Sequence, residues 1–181
     1  MNATAGMLSV FFASLFLSTH SHGSELVEVV LSARLDDPRG YCLDVVGHQD
    51  KATPERGLQA HSCYSYQGRL GVDQAFDADR MTAGEFQLPW FKVCMGFRAT
   101  QEGAPLTLTA CDGSSAQRFD FKPNGQIVPW SAPGLCLTVA DGTATPGGGG
   151  RPVHLFRRLT LEQCTESRTA HQTWRLRTKA D

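Results

Sequence analysis

Six cysteines are the residues of this chain whose type and spacing point most directly to chemistry. Thiols either pair as disulfides or bind zinc, and a zinc site needs cysteines and histidines at short, regular spacing. The sequence has no Cys-x-x-Cys motif and no cysteine-histidine pair with zinc-ligand spacing. The cysteines therefore favour disulfides, although sequence alone allows many connectivities among them.

The cysteines fall into three successive pairs, and each pair is followed by a glutamine, one residue and an aromatic ring. Between the first cysteines of the pairs the chain advances 52 and then 42 residues, which indicates an internal repeat. The Gln-x-aromatic motifs are Gln74-Ala75-Phe76, Gln117-Arg118-Phe119 and Gln172-Thr173-Trp174. If each pair closes a loop inside its own copy, the disulfides are Cys42–Cys63, Cys94–Cys111 and Cys136–Cys164.

Each copy has a part of constant length and a part of variable length. From the glutamine of one copy to the first cysteine of the next the chain takes 20 and 19 residues. From the first cysteine to the glutamine it takes 32, 23 and 36 residues. Because insertions accumulate in exposed loops, the variable part is expected to hold the loops. The third copy includes Ala144-Thr145-Pro146 and the run Gly147 to Gly150, which predict a flexible surface loop.

The chain after Gly23 predicts strands and no long helix. Short segments with β-branched and aromatic residues alternate with turn residues, and none holds an apolar helical period for three turns. The predicted strands are residues 26–31, 40–46, 58–61, 86–90, 106–110, 125–128, 135–139, 153–156 and 173–176. Many short strands in equivalent units indicate an all-β barrel or a related form.

The N-terminus predicts export. Residues 7–17 form an apolar run too short to span a bilayer, and small and polar residues follow it. We expect residues 1–23 to be a signal peptide and residues 24–181 to form a single domain. No Lys or Arg precedes the apolar run, so an uncleaved anchor is the alternative.

Charge and motifs argue against several classes of function. The formal net charge is −1, with 17 basic and 18 acidic residues interspersed, which favours neither nucleic-acid binding nor a polybasic membrane patch. The sequence has no nucleophile elbow, phosphate-binding loop or His-Glu-x-x-His motif. We therefore expect no enzyme, cofactor or metal ion, and no membrane insertion after signal cleavage. The oligomeric state stays open.

The three cysteine pairs with their Gln-x-aromatic motifs resemble the ricin-type β-trefoil lectin domain, over about residues 26–177. The resemblance implies a β-trefoil, in which three four-stranded repeats form a six-stranded barrel capped by hairpins. It implies that Phe76, Phe119 and Trp174 pack in the core and that each motif glutamine ties the backbone of its own copy together. It also implies carbohydrate binding in a secreted, periplasmic or extracellular protein.

The resemblance further implies a sugar site in the first copy. A neutral sugar is held by a carboxylate, by amides at the rim and by a flat ring against its C–H face. In the family the carboxylate lies two residues after the first cysteine. The ring lies two before the second cysteine, with a glutamine two residues earlier again. The carbohydrate-binding residues predicted in this way are Asp44, Gln59, His61, Asp73 and Gln74.

The first copy departs from the family pattern at two positions. His61 is a small ring, so Tyr64 or Tyr66 is a second candidate for the flat surface. Asp73 only accepts hydrogen bonds, whereas the family commonly has an asparagine there. The alternatives are that Asp44 is an ordinary turn carboxylate and that His61 is a packed residue of an edge strand.

The second and third copies have lost the site residues. The positions equivalent to Asp44 and His61 hold Gly96 and Thr109 in the second copy, and Thr138 and Glu162 in the third. The sequence therefore predicts a secreted module that recognises a galactose-like glycan residue through the first repeat only. The alternative is a sugar-inactive β-trefoil that binds or inhibits a protein through its loops.

Several rings and histidines outside this set have less specific expectations. Trp90 and Trp130 each lie next to a proline in the connectors between copies, and we expect them to pack under a hairpin. An exposed sugar platform is the alternative for both rings. His48, His154 and His171 are expected at the surface or in capping positions.

The repeat generates a test of the disulfides. Peptide mapping by mass spectrometry without reduction should find three bridges, each within one copy, and no free thiol. A bridge between copies, such as Cys63 with Cys94, would contradict the repeat register.

Overall fold

The fold is known from a computed structural model, which describes residues 24–178. The predicted signal peptide, residues 1–23, lies outside the described residues and stays a prediction. The strands of the described residues are β1 (Leu26–Leu31), β2 (Tyr41–Val45), β3 (Leu58–Ser62), β4 (Phe76–Asp77), β5 (Gln87–Leu88), β6 (Val93–Phe97), β7 (Ala104–Ala110), β8 (Phe119–Phe121), β9 (Ile127–Pro129), β10 (Leu135–Val139), β11 (Thr145–Pro146), β12 (Leu155–Arg157), β13 (Leu159–Gln163) and β14 (Trp174–Arg177).

Two short α-helices interrupt the strands, α1 (Ala78–Thr82) and α2 (Thr169–Gln172). Within residues 24–178 no helix is long and apolar enough to cross a membrane. The predicted all-β class is confirmed, and the family and structural comparisons given below support the β-trefoil.

The three copies share one hairpin register. β2 pairs with β3, β6 with β7 and β10 with β13, all antiparallel. In each hairpin the first cysteine lies opposite the residue two before the second cysteine. These pairs are Cys42 with His61, Cys94 with Thr109 and Cys136 with Glu162. The repeat seen in the sequence is therefore a repeat of strand pairing.

Pairing between copies joins these hairpins. One sheet runs β11-β12-β3-β2-β1-β14, with β4 also on β1, and a second runs β10-β13-β7-β6-β5. The strands β8 and β9 form a separate pair. β1 pairs with β14, with Val30 opposite Arg175, so the two ends of the domain close on each other.

The motif aromatics form the centre of the core, as predicted. Phe76, Phe119 and Trp174 are 0%, 1% and 2% exposed. Phe86 lies between the first two, with ring centroids 6.4 Å from Phe76 and 5.9 Å from Phe119. The indole Nε1 of Trp174 donates to the Leu137 carbonyl over 3.0 Å, which satisfies its polar atom inside the core.

All six cysteines are paired within their own copies: Cys42–Cys63, Cys94–Cys111 and Cys136–Cys164. These bridges join the start of each hairpin to the segment that follows it. In the chain-entropy view, loops of 17 to 28 residues each contribute about 3 kcal/mol by restricting the unfolded chain.

Two expectations for the connectors are wrong. Trp90 and Trp130 do not pack under a hairpin, because they are 51% and 57% exposed. Each ring instead has a guanidinium above it, Arg69 at 6.0 Å from the Trp90 centroid and Arg118 at 5.8 Å from that of Trp130.

The insertion of the third copy is more ordered than expected. Ala144 is buried, and Thr145–Pro146 form β11, which pairs with β12 and through it with β3 of the first copy. Only the run Gly147 to Gly150 lies in the expected surface loop between β11 and β12, and we call it the glycine tip.

The core position of Trp174 predicts a large loss of stability on truncation. Trp174→Ala should lower the free energy of unfolding by about 3–5 kcal/mol, because it leaves a cavity and an unpaired carbonyl. The matched control, Trp130→Ala, should cost less than about 1 kcal/mol, because that ring is exposed. Urea unfolding of both variants measures the difference. Equal losses would contradict the assignment of Trp174 to the core.

Candidate functional site

A cavity of about 640 Å³ lies beside the first copy, on the side where β3 meets the insertion of the third copy. The first copy contributes β3 and the loops before and after it. The glycine tip and β12 form the opposite wall. The lining residues are Val46, Gly47, His48, Gln49, Arg56, Gln59, His61, Tyr64, Gly147, Gly148, Gly149, Gly150, His154 and Phe156. Two of the five predicted sugar contacts, Gln59 and His61, are among them.

Asp44 lies behind this cavity and does not line it. Its side chain is 1% exposed, and β2 holds it directly opposite Gln59 on β3. Asp44 Oδ1 accepts from Gln59 Nε2 and Oδ2 accepts from Gln74 Nε2, each over 2.8 Å. Burial, and then the nearby Asp73 carboxylate, raise the pKa of Asp44 well above its ordinary value. Asp44 is thus placed to fix the Gln59 amide at the wall.

Gln74 is also buried behind the wall. Its Oε1 accepts from the Tyr64 N–H over 2.9 Å, and its Nε2 donates to Asp44 and to the Ser62 carbonyl. Both of its donors are in use, so Gln74 has none left for a ligand. The structure places it as the residue that holds Asp44 and the segment around Cys63, rather than as the predicted sugar contact.

The other motif glutamines make the same pair of backbone bonds. Gln117 accepts from the Asp112 N–H over 2.9 Å and donates to the Ala110 carbonyl over 2.9 Å. Gln172 accepts from the Thr165 N–H over 3.2 Å and donates to the Gln163 carbonyl over 2.9 Å. In each case the two partners flank the second cysteine. The implied role of these glutamines in tying the backbone together is what the geometry shows.

Asp73 positions a wall of the cavity rather than facing it. It is 0% exposed, and its Oδ2 accepts from the Gln49 N–H over 2.5 Å. Gln49 has a φ of 50° and lines the cavity, so this bond holds the loop after β2 in a conformation that few side chains adopt. Asp73 Oδ1 has no hydrogen-bond partner among the described residues. Burial raises the pKa of Asp73 to about 6.

His61 presents one defined acceptor. Its Nδ1 lies 3.0 Å from the Ser62 carbonyl, which only accepts, so Nδ1 carries the proton and the neutral ring has Nε2 as an acceptor. Burial lowers the pKa of His61 to about 4. His61 is not at a sheet edge, since β3 lies between β2 and β12.

Three rings cluster at the cavity. The centroids of His61, Tyr64 and His154 lie 5.2 to 5.4 Å apart in each pairing. Tyr64 is therefore the tyrosine that joins the site, while Tyr66 does not line the cavity. Burial raises the pKa of Tyr64 above its ordinary value, so its hydroxyl keeps its proton at neutral pH.

The second and third copies differ at the same place. A β-carbon at Gly96 would lie 3.0 Å from the Ala116 carbonyl oxygen and 3.3 Å from Gln117 Cγ, so a side chain there would require its neighbours to shift. In the third copy, Thr138 and Glu162 line a smaller cavity of about 310 Å³. Glu162 is paired with Arg168 over 3.3 Å.

The lining residues that sequence reasoning missed include Arg56, His154, Phe156 and the glycine tip. The last three belong to the insertion of the third copy, which the repeat pattern assigns to a different unit. The sequence marked that insertion by its length and by its glycine run, as an exposed loop and not as part of a site. The pairing of Phe156 with His61 brings it to the first copy.

The sequence profile of the ricin-type beta-trefoil lectin domain matches residues 32–153, more than half of the chain. This chain belongs to the ricin-type lectin family. Carbohydrate binding is the function this membership supports, and domains of the family are generally not enzymes. No curated protein sequence matches the chain.

Solved structures support the ricin-type fold. The beta-trefoil lectin of the Vibrio vulnificus hemolysin/cytolysin, with N-acetyl-D-lactosamine bound, has a TM-score of 0.57 at 16% identity, covering 87% of this chain and 96% of its own. The agglutinin of Abrus precatorius has a TM-score of 0.54 at 14% identity over 84% of this chain. A non-toxic homologue of type II RIPs from Momordica charantia, in complex with α-methyl-D-galactoside, has a TM-score of 0.56 at 19% identity over 84% of this chain.

Two of these solved chains are about twice as long as the part that this chain matches. This chain spans 46% of the Abrus precatorius agglutinin and 47% of the Momordica charantia homologue. At such identities the likeness shows the shared β-trefoil.

The buried Asp73 predicts a pH dependence of stability. Because its pKa rises from 3.8 to about 6 on folding, the folded protein keeps a proton that the unfolded chain has lost. Protonated Asp73 contributes about 2–3 kcal/mol to the free energy of unfolding. This contribution is fully present below about pH 4 and is lost as the pH rises through about 6. Asp73→Asn keeps an acceptor for Gln49, so urea unfolding should show a shallower decline in that range.

The matched control is Asp79→Asn, at an exposed position beyond the same motif. It should decline with pH as the wild type does. Parallel curves for the wild type and Asp73→Asn would contradict the burial of a charged Asp73.

Proposed function

We propose that this ricin-type lectin is a secreted module that recognises a galactose-like glycan residue through its first repeat only. The observation that carries the proposal is the Gln59 amide, held by Asp44 at the wall of an open cavity beside the rings of His61 and Tyr64. The three disulfides support an oxidising, extracellular or periplasmic location.

The residues at the wall match the chemistry of a neutral sugar. Gln59 uses one N–H on Asp44, which leaves its second N–H and its carbonyl oxygen for hydroxyl groups. His61 Nε2 accepts from a further hydroxyl. Tyr64 and His154 offer ring surface for the apolar C–H face of the sugar. Asp44 acts as a positioning residue in this arrangement, because its bond fixes the direction of the Gln59 amide.

A galactose-like ligand is supported by the Momordica charantia homologue, whose structure contains α-methyl-D-galactoside. Limiting the site to the first copy is supported by Gly96 and Thr138, which replace the carboxylate elsewhere. One site per chain would give weak binding, with a dissociation constant of about 1 mM, and no cross-linking of cells by a monomer.

A second candidate function is that of a sugar-inactive β-trefoil that binds or inhibits a protein through its loops. The observation that favours it is that both Asp44 oxygens are already paired and the side chain is 1% exposed. A carboxylate in that position cannot grip two sugar hydroxyls directly, so the scaffold would be intact without the family's anchor.

Replacing Asp44 tests the proposed site. Asp44→Asn keeps the size of the side chain but turns an N–H toward Gln59 or Gln74, each of which donates. Since Gln59 sits at the cavity wall, its amide would turn away, and affinity for methyl galactoside should fall about 30- to 150-fold, or about 2–3 kcal/mol. Isothermal titration of residues 24–181 measures the change, and thermal unfolding checks that the fold persists.

The matched control is Thr138→Ser, which changes the equivalent position in the third copy and keeps the hydroxyl that accepts from Gln172. Its affinity for the sugar should equal that of the wild type. Binding that survives Asp44→Asn would move the site elsewhere. If the wild type binds no glycan on an array, the protein-binding function is favoured.

A further inference from the structure

The cavity of the first copy has an unusual balance of charge for a neutral-sugar site. Its lining includes one guanidinium, that of Arg56, and three imidazoles, those of His48, His61 and His154, but no carboxylate. The permanent charge in the lining is therefore that of the Arg56 guanidinium.

Arg56 is available for a ligand. It ends the single 3-10 turn Pro54–Arg56, directly before the Gly57 that leads into β3, and it is exposed. Its guanidinium has no hydrogen-bond or ion-pair partner within residues 24–178. Arg39, by contrast, is paired with Asp37 over 2.8 Å.

The opposing carboxylates are screened from the cavity. Asp44 and Asp73 are 1% and 0% exposed, and both stand behind the wall. Glu55 is exposed next to Arg56 but does not line the cavity.

The glycine tip adds uncharged donors to the lining of the cavity. The N–H groups of Gly148 and Gly149 have no hydrogen-bond partner in the described chain, and added β-carbons there would meet nothing within 4 Å. Bare backbone N–H groups beside a cation suit an oxyanion.

We infer that this cavity takes an acidic saccharide, namely a galactose-like residue that carries a carboxylate or a sulfate group, and that Arg56 recognises the charge. The inference rests on the proposed function, since it names the ligand class of the same site. A negatively charged group beside Arg56 gains an ion pair with the guanidinium in addition to the hydrogen bond, whereas a neutral hydroxyl gains the hydrogen bond alone.

The test compares three ligands of one size class: methyl galactoside, its C6 carboxylate form (a methyl galacturonoside) and its sulfate ester. Isothermal titration of residues 24–181 at low salt should give about tenfold tighter binding for at least one acidic form than for the neutral sugar. Which acidic form gains identifies the carboxylate or the sulfate as the group recognised.

Two variants assign that gain to the cavity. In Arg56→Gln the acidic forms should lose their advantage over the neutral sugar, because the charge is gone while a donor remains. The matched control, Arg98→Gln, removes an exposed arginine of the second copy that does not line the cavity, and it should preserve the full advantage.

The outcomes separate the inference from the proposed function. Acidic forms that bind no tighter than methyl galactoside, or an advantage that survives Arg56→Gln, would overturn the inference and leave sugar binding in place. An acidic form that binds and is lost in Arg56→Gln supports the inference even where the neutral sugar is too weak to measure. If none of the ligands binds, the proposed function fails as well.

Discussion

The interaction on which the rest of this structure depends is the pair of backbone hydrogen bonds made by each motif glutamine. In all three copies the amide accepts from the residue after the second cysteine and donates to the residue before it. The glutamine is buried, so these bonds form away from competing water, where leaving them unmade is costly. In each copy these bonds hold the segment around the second cysteine of the disulfide next to the core aromatic of the same motif.

The motif glutamine of the third copy shows that the fold does not require a buried carboxylate at the position of Asp44. The second N–H of Gln172 donates to the Thr138 hydroxyl, which in turn donates to the Cys136 carbonyl. A hydroxyl therefore completes the network without burying a charge, which is the cheaper solution. Asp44 in the equivalent position raises the electrostatic cost. What it adds is an acceptor for Gln59, and so a fixed amide at the cavity wall.

The sequence predicted the repeat, but it missed one strand in two of the three repeated hairpins, β6 and β13. The strands at residues 26–31 and 135–139 match β1 and β10, and the cysteine pairs and core aromatics are as expected. β4 and β8 were missed because strands of two and three residues carry no periodicity. β13 was missed although Leu159 and Leu161 flank Thr160 in the alternating pattern of a strand. Burial of Asp44 depends on partners that only the fold brings together.

The cavity draws on two copies, and this limits what a repeat-by-repeat reading can find. The family resemblance implied Asp44, Gln59 and His61 inside the first copy, whereas His154 and the glycine tip come from an insertion more than 80 residues later in the chain. The pairing of β12 with β3 brings the insertion of the third copy to the first copy. The extra residues that make the third copy differ from the other two therefore form the second wall of the cavity. The Gly147 N–H donates to the carbonyl of His154, just before β12, and the glycine tip presents backbone rather than side chains to the cavity. In the proposed site the glycine tip supplies backbone N–H donors and Arg56 of the first copy supplies the charge.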